Sequence, residues 1–206
     1  MVVGQQGDPF DRPSPNRRFA VALHRMGWMG DLLATGDAGA KLGLRLALDW
    51  RRIFGKWNGF SWGPDVLERR VFNLACAARR LTYGASDAER VMVLDDLARQ
   101  ARHLAGIGQA PERALERAVA AGVAGCALGG EAGERLIDQS VTRLKHDLAQ
   151  VVSHEGVHAS RSPQAGLELL FDLLTLDDAL HQRGQAGPDD LPRAIDRLSA
   201  ATRFFT

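Results

Sequence analysis

The stretch Val151–Pro163, VVSHEGVHASRSP, can be read in two ways, and each leads to a different protein. It contains His154-Glu155-Gly156-Val157-His158, which spells H-E-x-x-H. In zinc hydrolases that spacing sets two histidine ligands on one helical turn, with the glutamate as general base. The other reading is the end of one helix, a glycine turn and the start of the next helix. Three features favour the turn. Gly156 inside a helix costs about 1 kcal/mol relative to alanine. Pro163 restricts the residue before it and suits the first turn of a new helix. No H-x-x-G-x-x-H extension follows His158, and the one distant acid, Glu168, already belongs to the next helical pattern. The expectation is a helix ending near Ser153–Glu155, a turn, a new helix at Pro163, and neither metal nor cofactor.

Working outward, the periodic signals are helical. Ile137, Val141, Leu144, Leu148 and Val152 fall on one stripe, as do Val91, Leu94, Leu97, Ala101 and Leu104. Leu167, Leu170, Phe171 and Leu174 form another. Ser86 with Glu89 three residues later reads as a capping box. Strand-like alternation does not persist anywhere. The reading is all-α, about eight helices joined by short Gly-, Pro- or Ser-rich turns. Such an order implies antiparallel helical hairpins in a ring or layered array.

Composition sets limits on function. Of 206 residues, 26 are basic and 25 acidic, so the chain lacks the charge excess of a protein that binds nucleic acid by neutralising phosphates. No run is long enough to span a membrane, and the opening MVVGQQGDPFDRPSPNRR is polar and proline-rich, with no apolar signal-peptide core. Residues 1–15 are expected to be extended or disordered, and 16–206 to form the helical domain. Cys76 and Cys126, in apolar helical stretches, are expected to be buried thiols. His24, His103, His146 and His181 read as ordinary exposed or half-buried helix residues. The end, RLSAATRFFT, leaves Phe204 and Phe205 without a polar tail, and they are expected to pack on a part of the protein further downstream.

At this point the chain resembles the heparinase II/III family. GVHASRSPQAGLELLFDLLTLDDAL looks like that family's D-G-G-H turn, followed by an R-S-P step into a leucine-rich helix. The D-G-G-H slot is filled by Glu155-Gly156-Val157-His158. Upstream, WGPDVLERRVFN is similar to the family's W-x-P-x(5)-R-x-x-N, with Trp62, Pro64, Arg70 and Asn73 in register. The resemblance implies an incomplete (α/α) toroid whose β-sandwich partner domain is absent here. It also implies a cell-envelope or periplasmic setting and β-elimination of an acidic, uronate-containing polysaccharide.

The catalytic positions depart from the family. Its Asn-His pair falls near Glu112-Arg113, and its tyrosine, in S-P-x-Y, falls on Ala165. The motif positions offer His158, Arg161, Glu112 and Arg113 as catalytic candidates instead. Candidate substrate-binding residues are Trp57 and Trp62, loop tryptophans able to stack on sugar rings, together with Arg70 and Asn73. Three functions stand: lyase part, non-catalytic glycan-binding or scaffold array, and zinc hydrolase through HEGVH.

Overall fold

The computed structural model describes residues 8–108 and 112–204. Among them are nine α-helices and no strand beyond a single bridge between Val152 and His158, so the fold is all-α as expected. The helix additional to the expected eight is the short α2. None of the described helices is long and apolar enough to cross a membrane. The chain forms two compact units, Met1–Gln100 and Ala101–Thr206.

In the first unit, α1 (Arg17–Arg25), α2 (Met29–Ala34), α3 (Asp37–Phe54) and α4 (Pro64–Thr82) pack around Leu23, Trp50, Leu67, Leu74 and Leu81. Each such buried leucine contributes roughly 1.5–3 kcal/mol. α1 starts where the Asn16 side chain accepts the Phe19 N–H at 2.8 Å, and it ends at Met26 in the left-handed region. Of the segment expected to be extended, residues 1–7 lie outside the described residues. In the remainder, Phe10 is buried against the rings of His24 and Phe54. α4 opens on Pro64, as the sequence predicts. α5 (Asp87–Ala105) opens on the expected capping box, in which Glu89 accepts the Ser86 N–H at 2.9 Å.

The second unit holds the last turn of α5 together with α6 (Ala114–Leu128), α7 (Gly130–Val151), α8 (Pro163–Gln182) and α9 (Asp190–Thr202). α6 is apolar nearly all round and is accordingly the buried helix, packed by both α7 and α8. α6 and α7 meet through small residues: a Cβ on Gly133 would stand 2.5 Å from the Gly125 carbonyl oxygen. The longest described connections between helices are 55–63 and 152–162, both in places where the sequence predicts loops.

Three expectations are corrected. On α8 the buried leucines are Leu169, Leu170, Leu173, Leu176 and Leu180, while Phe171 and Leu174 face outward. A helix with leucines on several faces does not declare in its sequence which face the core takes. Cys76 is exposed and Cys126 half-buried, because α4 buries the face of Val71, Leu74, Ala75 and Ala78 and turns Cys76 away from it. His24, expected on or near the surface, is buried at the centre of an aromatic cluster.

Candidate functional site

The HEGVH stretch is a turn. α7 ends at Val151, Val152 bridges to His158, and Gly156 adopts φ 78°. A Cβ on Gly156 would meet the Arg197 carbonyl oxygen at 2.0 Å, so the turn is pressed onto α9 by a contact that only glycine permits. The two histidines part company here. His154 is exposed, whereas His158 is buried. No group of three or more His, Cys, Asp or Glu among the described residues is placed to hold a metal ion.

His158 is hydrogen-bonded at Nδ1 and has its buried Nε2 turned towards a carboxylate. Nδ1 accepts the Ser160 N–H at 3.1 Å and lies 2.7 Å from the Ser160 hydroxyl. That acceptor role leaves the ring proton on Nε2, which lies 3.4 Å from Glu116 Oε1. Glu116, on the first turn of α6, is 3% exposed. Burial by itself would raise its pKa. The contact with His158, a backbone hydrogen bond and the Arg113 charge outweigh burial and hold the carboxyl below its usual range. Glu116 is the residue that sequence reading missed. Its only sequence signal is an acid spaced with Glu112-Arg113 on the same helical start.

Of the other catalytic candidates, Arg113 is the N-cap of α6, with φ 58°, and its charge acts on Glu116. Glu112 is exposed and contributes its carbonyl to Arg117 Nη1 at 2.7 Å. Arg161, also left-handed at φ 56°, is exposed beside a small recess bounded by Gly156, His158 and Pro163. Arg113 and His158 thus converge on one buried carboxylate, while Arg161 and Glu112 face solvent.

The four substrate-binding candidates are all in the first unit, and three are turned inward. Trp62 is buried and donates its Nε1–H to the Phe54 carbonyl at 2.9 Å. Arg70 has no exposed surface. Its Nε donates to Gln100 at 2.7 Å and its Nη1 to the His24 carbonyl at 3.2 Å, and its guanidinium lies over the Trp50 ring at 4.0 Å. Half-buried Asn73 donates to the Arg25 carbonyl at 2.9 Å. Arg70 and Asn73, one turn apart on α4, therefore tie down the last carbonyls of α1, which no helical N–H can reach. Their spacing in the W-x-P-x(5)-R-x-x-N pattern has a packing cause. Trp57 alone stands out, 69% exposed, with Phe60 on the same turn 37% exposed.

No protein-family profile matches the chain. Over 203 residues, 98% of its length, it is 63% identical to FtsZ-localized protein C of Caulobacter vibrioides (strain NA1000 / CB15N), of which it spans 35%. Its fold is similar to that of a heparan sulfate lyase HepC mutant from Pedobacter heparinus. There the TM-score is 0.70 at 19% identity, over 93% of this chain and 33% of that one. It is also similar to a heparinase III structure with methylated lysines, with TM-score 0.64 at 14% identity, over 91% of this chain and 34% of the other. The chain thus spans about a third of the length of each protein it matches. At these identities the structural likeness establishes the fold, a heparinase-like all-α helical toroid.

Proposed function

We propose that this chain is the helical part of a heparinase II/III-family protein, that it holds an acidic polysaccharide without cutting it, and that it does so in a protein localised with FtsZ. The fold likeness to two heparinase-type enzymes supports the polysaccharide class. The relative's name, which describes a location rather than a reaction, supports the setting.

The observation that carries the non-cutting reading is Ala165. In the resembled family this position bears the tyrosine that protonates the leaving oxygen. Here it is a half-buried methyl group in the first turn of α8, where its N–H donates to the capping Ser162 hydroxyl at 3.3 Å. The single tyrosine of the chain, Tyr83, stands at the end of α4 in the other unit. His158, the remaining candidate base, has both ring nitrogens turned to Ser160 and Glu116. β-Elimination needs a base at C5 and an acid at the leaving oxygen. Binding needs neither, and Trp57 offers an exposed ring for a sugar face.

The test is calorimetry of the full-length protein with heparan sulfate and with alginate, and with neutral dextran as control, while the absorbance of unsaturated uronate is followed. Binding of an acidic polymer without product is expected, weakened about three- to tenfold by Trp57→Ala with little change in unfolding midpoint. Unsaturated product would overturn the non-cutting reading, and equal affinity for dextran would overturn the acidic one. A fluorescent fusion that fails to follow FtsZ would remove the setting.

A further inference from the structure

In the second unit the hairpin of α6 and α7 lies beside the hairpin of α8 and α9, with α6 packed on α8 and α7 on α9. α8 meets α6 through Leu176, whose Cδ1 would stand 3.0 Å from a Cβ on Gly122, and it meets α9 at Gly166, which Leu198 approaches. On the side of α8 opposite Leu176, helical geometry aligns Leu167, Phe171, Leu174 and Asp178. Phe171 is 59% exposed, Leu174 42% exposed and Leu167 half-buried. Apolar side chains at i, i+4 and i+7 form the stripe that one helix offers to another.

Charge and stacking both bear on what covers this stripe. Besides the buried Asp172, α8 carries the acids Glu168, Asp177 and Asp178 and no lysine or arginine. Their side-chain contacts are with Gln164, His181 and Gln182 respectively. Other acids of this unit, Glu131, Glu134 and Asp190, each meet an arginine. Two copies of the α8 face brought together would set acid against acid, which disfavours a symmetric dimer through it. Stacked hairpins end stably in a polar outer face. A face built on Phe171 and Leu174 is instead one that an interior hairpin turns to a neighbour. The chain spans about a third of each protein it matches, so proteins of this kind have further chain to supply that neighbour.

We propose that the outward stripe of α8 is an intramolecular docking face, covered in the full-length protein by a helix from outside residues 1–206. That helix sets apolar side chains on Phe171 and Leu174 and places Lys or Arg opposite Glu168 and Asp178. It packs on α8 from the side that α6 leaves open, and so extends the array by one hairpin. Burial of the stripe drives the contact, and the basic flank fixes its orientation. The inference does not depend on polysaccharide binding, which was assigned to Trp57 in the other unit.

The experiment is photo-crosslinking of the purified full-length protein with p-benzoylphenylalanine in place of Phe171 and, in a second variant, of Leu174, each with an unfolding midpoint matching the unmodified protein. Irradiation at high dilution is expected to join either position to the same polypeptide, with no product of doubled mass. Peptide mapping should place the link outside residues 1–206, on a helical segment that carries Lys or Arg beside its apolar residues. Asp178→Lys should lower the crosslink yield about two- to fivefold, as loss of a partly exposed ion pair implies. Asp138→Lys, on exposed α7 surface of the same unit, should leave it unchanged. The proposal is overturned if the link joins two copies of the protein, if it joins only residues within 1–206, or if neither position crosslinks. An Asp178→Lys variant that crosslinks as well as its parent overturns the basic character of the covering helix.

Discussion

His24 in the first unit and His158 in the second are both buried imidazoles whose Nδ1 accepts a hydrogen bond, from the Trp50 indole at 3.0 Å and from the Ser160 N–H at 3.1 Å respectively. They differ in the charge that tertiary packing sets beside them. Around His24 stand the rings of Phe10, Trp50, Phe54 and Phe60 and the Arg70 guanidinium. Burial first, and then the Arg70 charge, push its pKa down to about 4. Facing His158 is a carboxylate, and the pair fastens the 153–160 turn to the first turn of α6. The first arrangement keeps a histidine neutral inside an aromatic core. The second sets one 3.4 Å from a buried acid. A buried histidine is therefore not a class of residue, and its neighbours' charges decide what it does.

The comparison breaks most visibly at Arg70. Arg70→Ala removes the bonds to Gln100 and the His24 carbonyl and the contact with Trp50, and leaves buried acceptors unpaired. A loss of about 3–5 kcal/mol is expected, read by denaturant unfolding. If enough native protein remains, the NMR titration of His24 should move up towards the usual value of 6.5, since one of its two depressing causes is gone. An unmoved His24 would show that burial alone sets its pKa.

A smaller effect is expected on the other side. His158→Ala leaves the Glu116 carboxylate and the Ser160 N–H without their partner. A cost of about 1–3 kcal/mol follows, and hydrogen exchange should accelerate in residues 153–160 before the rest of the second unit. A double-mutant cycle with Glu116→Gln should return a coupling energy, whereas additive losses would mean that the pair is only adjacent.

The remaining effect is the pH dependence. His24 has a folded pKa below its unfolded one, so the unfolded chain takes up the proton first as pH falls. Its contribution is intact above about 6.5 and is lost as pH falls towards about 4. Glu116, also depressed in the folded state, acts in the same direction: its contribution is present above the ordinary carboxyl value of 4.5 and is lost as pH falls through the folded one. Unfolding midpoints measured across this range should fall with pH, first through His24 and then through Glu116. His24→Gln should flatten the upper part of the slope only.

Much of this was legible in the sequence because it rests on local chemistry. Pro64 and Pro163 at helix starts, the Ser86–Glu89 box and the glycine at 156 each act over a few residues, and each reappears where expected. The turn reading of HEGVH is of the same kind, since Gly156 and Pro163 oppose a continuous helix whatever surrounds them.

Three features required the tertiary structure. α8 has leucines on more than one face, and only packing against α6 and α9 selects Leu169, Leu173 and Leu176 over Phe171 and Leu174. Arg70 and Asn73 look like ligand-binding groups on a helix until α1 ends beneath them and presents carbonyls that need donors. Glu116 becomes the partner of His158 only because the turn after α7 brings together residues 42 positions apart in the chain. The physical reason is range. Backbone propensity and capping act over about one helical turn, whereas burial, pairing and pKa depend on groups that the sequence separates and folding alone brings into contact.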